Sequence, residues 1–125
     1  MIGVNTAASP AMARSLAEHR VYASFDSQPT IAEGLEGGVS SSSAWLCARH
    51  VREVVVVEES SLARAVELSL REEKQVLEGS GAAAVAALIE GKRIPGEGPV
   101  CLVLTGRNID RDRLRELVQG MTAPA

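Results

Sequence analysis

The apolar residues of this chain form short runs that are typical of buried strands. The four consecutive valines at 54–57 show no alternation with polar residues, which favours a strand covered on both faces. A second apolar run at 1–4 and a third at 99–105 predict two further strands. Runs of this kind are typical of parallel sheets, in which helices cover both faces.

Apolar positions at helical spacing lie between the predicted strands. Ser9 before Pro10 favours a helix start, because serine caps a first turn and proline fits its first position. In the helix after the serine-rich loop, we expect Trp45, Leu46 and Ala48 to be buried. The predicted helices cover residues 9–19, 44–52, 60–71, 82–90 and 110–121, and a short helical turn is predicted at 30–35.

This alternation predicts an α/β domain with a small, mostly parallel sheet of about three strands flanked by helices. A length of 125 residues allows one domain with a single core. We place that domain at residues 1–121 and expect 122–125 to be a disordered tail.

Charge and composition exclude several classes of function. The 13 Lys plus Arg residues against 16 Asp plus Glu give a net charge of −3, whereas a nucleic-acid-binding face would need a basic excess. The longest apolar stretch, 82–89, is far shorter than the roughly 20 residues that span a bilayer. Cys47 and Cys101 have no metal-type spacing and are expected to be buried and inert. With no leader recognised, we expect a cytoplasmic protein without nucleic-acid or membrane partners.

Three segments carry candidate binding chemistry, each with a plainer alternative. The glycines around Gly34 would let a flat ligand approach the backbone, or they form a flexible loop. Residues 78–81 open a helix, where an anion could bind, or they allow tight helix packing. Residues 105–108 follow the third predicted strand, where ligands bind in open α/β sheets, or they form a polar turn.

Taken together and in order, these segments resemble the C-terminal part of the serine/threonine dehydratase family. The resemblance runs from residue 1 to about 118 and rests on Ile2-Gly3-Val4, Thr30-Ile31-Ala32-Glu33-Gly34, the strand and helix at 54–70, Glu78-Gly79-Ser80-Gly81-Ala82 and Thr105-Gly106-Arg107-Asn108-Ile109-Asp110. The family shares the fold type II of pyridoxal-phosphate (PLP) enzymes, as in serine racemase and the tryptophan synthase β-subunit. The resemblance therefore implies PLP as the family's cofactor.

The resemblance also implies roles for three residues. Thr105 matches the hydroxyl residue that hydrogen-bonds the pyridine nitrogen, and a neutral hydroxyl makes the ring a weaker electron sink than an aspartate would. Gly34 matches the glycine beside the cofactor ring, and Glu78 matches an acidic residue near its edge. The family's metal-binding acids correspond to Asn5 and Ala11, so we expect no metal.

Other parts of the family's site have no counterpart in this chain. The family's Schiff-base lysine, substrate-carboxylate loop and glycine-rich phosphate cradle precede the matching region, and neither Lys74 nor Lys92 lies in the lysine motif. We therefore expect a truncated domain that has no catalytic residue of its own and does not hold PLP alone. Its uncovered apolar surfaces predict a homodimer, or a complementary N-terminal half as partner.

Two functions remain open at this point. The first is a dehydratase domain by descent, acting by β-elimination on a hydroxy amino acid such as threonine or serine once a complementary half is supplied. The alternative is a non-catalytic module that binds a small molecule such as an amino acid, or that regulates a partner, and dimerises.

Overall fold

The computed structural model describes residues 1–92, 96 and 98–121, which fold as an α/β unit. Its elements, in chain order, are β1 (Ile2–Thr6), α1 (Ala11–Ala17), a 3-10 turn (Glu33–Leu35), α2 (Ser41–His50), β2 (Glu53–Val57), α3 (Glu59–Glu73), α4 (Ala83–Ile89) and α5 (Arg111–Met121). These bounds confirm the predicted strands at the start of the chain and at the valine run, and all five predicted helices. The predicted tail at 122–125 lies outside the described residues.

The two strands pair in parallel, and helices pack around them. The register places Gly3 opposite Val54 and Thr6 opposite Val57, and the Ala7 N–H donates to the Val57 carbonyl at 2.8 Å. The core is built mainly from small and branched residues of β2, α3 and α4: Ala32, Val57, Leu62, Ala65, Val66, Leu77, Ala82, Ala83, Ala86 and Ala87. Because these side chains are small, the backbones of α3 and α4 pack close together.

The third predicted strand is wrong. Residues 99–105 form no strand, and within the described part of the chain the sheet consists of β1 and β2 alone. A strand needs a hydrogen-bonding neighbour, and none of the described strands lies beside this segment. The Cys101 thiol, expected to be buried, is exposed for the same reason.

The outer face of α2 also differs from the prediction. Trp45 is 57% exposed and Leu46 is 50% exposed, while Ala44 is the buried residue of this helix. Ala48 is exposed as well. Trp45 lies in an apolar groove between α1, α2 and the start of β2, which we call the α1–α2 groove. No described element covers this groove, which is why the predicted burial fails.

Two details concern helix starts. Pro10 occupies the N-cap position of α1, and Ser9 is buried and bonded to Ser27 instead of capping the helix. The start of α3 lies beside the end of α4, where the Glu58 N–H donates to Glu90 Oε1 at 2.7 Å. Among the described residues, no helix is long and apolar enough to cross a membrane.

Candidate functional site

The loops that follow the two parallel strands meet at the carboxyl edge of the sheet. This is the edge at which open α/β sheets bind ligands. Glu59, in the first turn of α3, accepts hydrogen bonds from the Thr30 hydroxyl at 2.6 Å, from the Ile31 N–H at 2.9 Å and from the Thr6 hydroxyl at the end of β1. One carboxylate therefore fixes the loop that leads to Gly34 against the ends of both strands.

The loop carrying Gly34 then contacts the segment before α4. The Gly34 N–H donates to Ser80 Oγ at 2.9 Å. Nearby, a Cβ added at Gly79 would overlap the Ile31 carbonyl, so the two backbones can meet only because residue 79 is a glycine. The glycine thus allows close packing of two loop backbones, rather than the tight helix packing that was the plainer interpretation of 78–81.

The same segment contacts the turn that contains Thr105. The Glu78 N–H donates to the Gly106 carbonyl at 3.2 Å, and a Cβ at Gly81 would overlap the Thr105 carbonyl oxygen. Gly106 has a φ of +67°, and the Glu78 side chain occupies the space that a Cβ at residue 106 would need. A glycine is required there for both its conformation and its space.

The structure thus brings together the three segments of the predicted site residues Gly34, Glu78 and Thr105, with 78–81 in the middle. Gly34 and Thr105 are exposed and Glu78 is half-buried, so all three are accessible to a ligand. Thr105 offers a hydroxyl, Glu78 a carboxyl group and Gly34 a backbone without a side chain.

Two residues that hold the site together were not predicted. Ser80 lies inside a motif that the sequence analysis singled out, but only its position at a helix start was considered. Glu59 carries no signal in the sequence beyond being an acidic residue in a first helical turn. Its partners lie 28 to 53 residues away along the chain, so no local pattern could indicate its role.

Asn5, which corresponds to one of the family's metal acids, has another contact. Asn5 Oδ1 accepts a hydrogen bond from the Ala13 N–H at 3.0 Å, which fixes the first turns of α1 behind β1. Within the described residues, no group of three His, Cys, Asp or Glu side chains could hold a metal ion.

Neither lysine of the chain lies among the contacts of this site. Lys74 has a left-handed backbone at the end of α3, and its ammonium group donates to the Arg71 carbonyl. Lys92 pairs with Glu90 at 3.0 Å after the end of α4. Burial alone would raise the pKa of Glu90, but hydrogen bonds from the Glu58 N–H, Lys92 and Ser61 together hold this pKa below its usual value.

Two solved structures illustrate the similarity of the fold to known enzymes. Threonine deaminase isoform 2 from Solanum lycopersicum matches with a TM-score of 0.78 at 27% identity, over 98% of this chain and 36% of that one. A fungal L-serine ammonia-lyase from Rhizomucor miehei matches with a TM-score of 0.74 at 28% identity, over 94% and 40% of the two chains. The fold is therefore that of fold type II PLP enzymes, as the resemblance implied.

Sequence comparison gives the same family. A putative threonine dehydratase from Sinorhizobium fredii is 37% identical over 95 residues, which are 74% of this chain and 29% of that protein. An L-threonine ammonia-lyase from Thermotoga maritima is 32% identical over 119 residues, 94% of this chain and 29% of that protein. This chain thus spans less than a third of the length of these relatives. The model of the family described as pyridoxal-phosphate dependent enzyme matches residues 1–106, and the chain belongs to this family.

Proposed function

We propose that this chain forms one wall of the cofactor site of a threonine/serine dehydratase-like enzyme. The reaction is the β-elimination of a hydroxy amino acid, threonine or serine, to a 2-oxo acid and ammonia. The observation that carries the proposal is that Gly34, Glu78 and Thr105 meet at the carboxyl edge of the sheet through the 78–81 segment. Relatives named threonine dehydratase and L-threonine ammonia-lyase support the choice of reaction.

The residues present fit PLP on one side of the ring. The exposed Thr105 hydroxyl would hold the pyridine nitrogen, and the backbone at Gly34 leaves room beside the ring face. When bound, PLP withdraws electrons from the amino acid's α-carbon, so that the α-proton can be removed and the β-hydroxyl can leave.

The chain's own residues contribute orientation rather than proton transfer. Thr105 is held in place because Gly81 packs directly against its carbonyl oxygen. Both the backbone and the side chain of Glu78 are held in place. Its N–H donates to the Gly106 carbonyl, and its side chain packs over the same glycine. Such a pre-arranged wall lowers the entropy cost of placing the cofactor ring.

Polypeptide outside residues 1–125 must supply the rest of the site. Covalent binding of PLP needs a lysine at the aldehyde, and Lys74 and Lys92 are engaged elsewhere at the ends of α3 and α4. The relatives are about three times as long as this chain, which leaves ample polypeptide for that role. We propose that the isolated chain is inactive and does not hold PLP firmly.

A reconstitution experiment tests this function. The complement polypeptide, defined as the Sinorhizobium fredii relative expressed without the segment similar to this chain, is mixed with this chain, PLP and L-threonine, and the 2-oxo acid is measured. We expect activity from the mixture and none from either part. Thr105→Val should lower it at least tenfold and Thr105→Ser should restore most of it, because the serine keeps the hydroxyl. Full activity of Thr105→Val would contradict the role of the hydroxyl.

A borohydride experiment tests the inactivity of the isolated chain. PLP is added to the purified chain, borohydride fixes any adduct, and mass spectrometry reads the lysines. We expect no stoichiometric adduct at Lys74 or Lys92. A stoichiometric adduct, or turnover of threonine by the chain alone, would overturn the proposal that polypeptide outside residues 1–125 is needed.

A further inference from the structure

All four backbone N–H groups of residues 34–37, which we call the glycine turn, are hydrogen-bonded within the chain. Those of Leu35 and Glu36 donate to carbonyls at the start of the same 3-10 turn, at 2.8 and 3.1 Å. Those of Gly34 and Gly37 donate instead to the hydroxyls of two serines that lie outside the turn. The two ends of the glycine turn are thus held by side chains, and its middle by its own backbone.

Ser27 holds the carboxyl end of the glycine turn. Its Oγ accepts a hydrogen bond from the Gly37 N–H at 3.0 Å and donates to Ser9 Oγ at 2.8 Å. Ser9 is fully buried between β1 and α1, and the neighbouring Gln28 N–H donates to the Ala8 carbonyl at 2.9 Å. Because the proton of the Ser27 hydroxyl is committed to a buried partner, its oxygen is fixed in the orientation that receives the Gly37 N–H.

Ser80 holds the amino end of the glycine turn. Its Oγ accepts from the Gly34 N–H at 2.9 Å, and a Cβ added at residue 34 would lie only 3.0 Å from the same oxygen. The glycines on either side of Ser80 pack directly against the carbonyls of Ile31 and Thr105, with no room for a Cβ. The backbone of Ser80 is therefore held on both sides, and its hydroxyl reaches Gly34 from a fixed position.

These hydrogen bonds decide what the glycine turn can bind. Consecutive free N–H groups in a glycine-rich turn form a concave site for an anion. In this chain the N–H groups of residues 34–37 already have acceptors, so none is left for a phosphate or a carboxylate. Gly34 is exposed, and without a free N–H it offers a ligand only its Cα hydrogens and its carbonyl group. Such a surface suits the uncharged face of an aromatic ring.

We propose that Ser27 and Ser80 are positioning residues that make the glycine turn a wall without free donors, which receives the face of a ring and rejects anionic groups. The inference rests on the proposed function, because the ring is that of PLP. The two hydroxyls act from opposite ends of the turn, so each controls one amide. Both serines act through the glycines that they hold, and neither is assigned a contact with reacting atoms.

Amide hydrogen exchange of the full chain alone tests the two bonds. Ser80→Ala should speed exchange at Gly34 by about three- to tenfold and leave Gly37 unchanged, whereas Ser27→Ala should do the reverse. Ser80→Thr keeps the hydroxyl and should keep exchange at Gly34 slow. The Leu35 and Glu36 amides are internal controls, because they donate within the turn. If all four amides speed up together, or if none does, the inference is overturned.

A titration with inorganic phosphate tests the exclusion of anions. The amide NMR signals of Gly34 and Gly37 are followed in the full chain as phosphate is added. We expect no saturable shift of either signal, because both N–H groups keep their serine acceptors. A saturable shift at either glycine would show that the turn binds an anion and would overturn the inference.

The reconstituted enzyme links the two serines to the cofactor. The chain is mixed with the complement polypeptide and L-threonine, and PLP is titrated. Ser27→Ala and Ser80→Ala combined should raise the PLP concentration for half-maximal activity at least about fivefold, because a loosened wall must be ordered when the ring binds. The rate at saturating PLP should change less than about twofold. Ser42→Ala is the matched control and should change neither, since Ser42 is exposed on α2 and its hydroxyl bonds to Ser40.

The outcomes separate this inference from the proposed function. Amide exchange and the phosphate titration use the chain alone, so they are measured whether or not lyase activity is reconstituted. Selective release of Gly34 and Gly37, with no lyase activity in the mixture, would support the role of the two hydroxyls and contradict the proposed function. Lyase activity with unselective exchange, or with an unchanged PLP requirement in the double variant, would overturn this inference alone.

Discussion

Glu59 is the residue whose removal should most clearly reveal what holds the candidate site together. Its carboxylate accepts from the Thr30 hydroxyl, the Ile31 N–H and the Thr6 hydroxyl, and Thr6 is fully buried. A hydrogen bond to a charged group contributes about 1.5–3 kcal/mol net, and a buried donor left without an acceptor costs a further desolvation penalty. Because contributions in one network are not additive, we expect Glu59→Ala to lower the free energy of unfolding by about 3–5 kcal/mol.

Glu59→Gln is the milder companion variant. The amide keeps one acceptor oxygen and loses the other, so we expect a loss of about 1–2 kcal/mol. This variant keeps the prediction testable if Glu59→Ala does not fold. Glu58→Gln is the matched control, since the Glu58 side chain is exposed and only its backbone N–H bonds to Glu90. It should stay within about 0.5 kcal/mol of the wild type.

Urea unfolding followed by helical circular dichroism measures all three variants. Amide exchange at Ile31 adds a local measurement, because that N–H loses its acceptor and should open before the rest of the fold. A loss below about 1 kcal/mol for Glu59→Ala, with unchanged exchange at Ile31, would refute the role assigned to this carboxylate.

Three further predictions concern other contacts of the site and its surroundings. Gly81→Ala should destabilise the chain by about 1–3 kcal/mol in urea unfolding, because the new Cβ would overlap the Thr105 carbonyl. In Gly120→Ala the new Cβ would lie in open space on α5, so this variant should instead stabilise the chain by up to about 1 kcal/mol. A similar loss of stability in both variants would contradict the overlap at Gly81. Glu90→Gln should cost less than about 1 kcal/mol at neutral pH. The pKa of Glu90 in the folded chain lies below the ordinary 4.5. The difference in the free energy of unfolding between the wild type and Glu90→Gln should therefore shrink as the pH falls through the lowered pKa. A difference that does not change with pH would contradict the stabilising role of the Glu90 carboxylate.

The sequence predicted the elements well where the pattern is local. The uninterrupted valines of β2 and the helical spacing of α3 depend on neighbours a few residues away, and both elements were placed within two residues. The strand at 99–105 failed for a different reason. Strand formation depends on a partner strand at any distance along the chain, and the described residues supply none beside this segment.

The same distinction between local patterns and distant contacts applies to the candidate site. Gly34, Glu78 and Thr105 were predicted because they lie in short motifs that carry the family resemblance. Their meeting point is set by Ser80 and Glu59, whose bonds join distant parts of the chain. Trp45 shows why burial is harder to predict from sequence than helix position. An aromatic residue at helical spacing predicts a core position, but its burial depends on which element packs against that face of the helix.

The exposed Trp45 has a practical consequence. It is the chain's single tryptophan, and the Arg49 guanidinium lies 4.6 Å from its ring centroid on the outer side of α2. Its indole emission therefore reports on the α1–α2 groove. A molecule that covers this groove would shift the emission to the blue. The chain thus carries a native optical label for this uncovered surface.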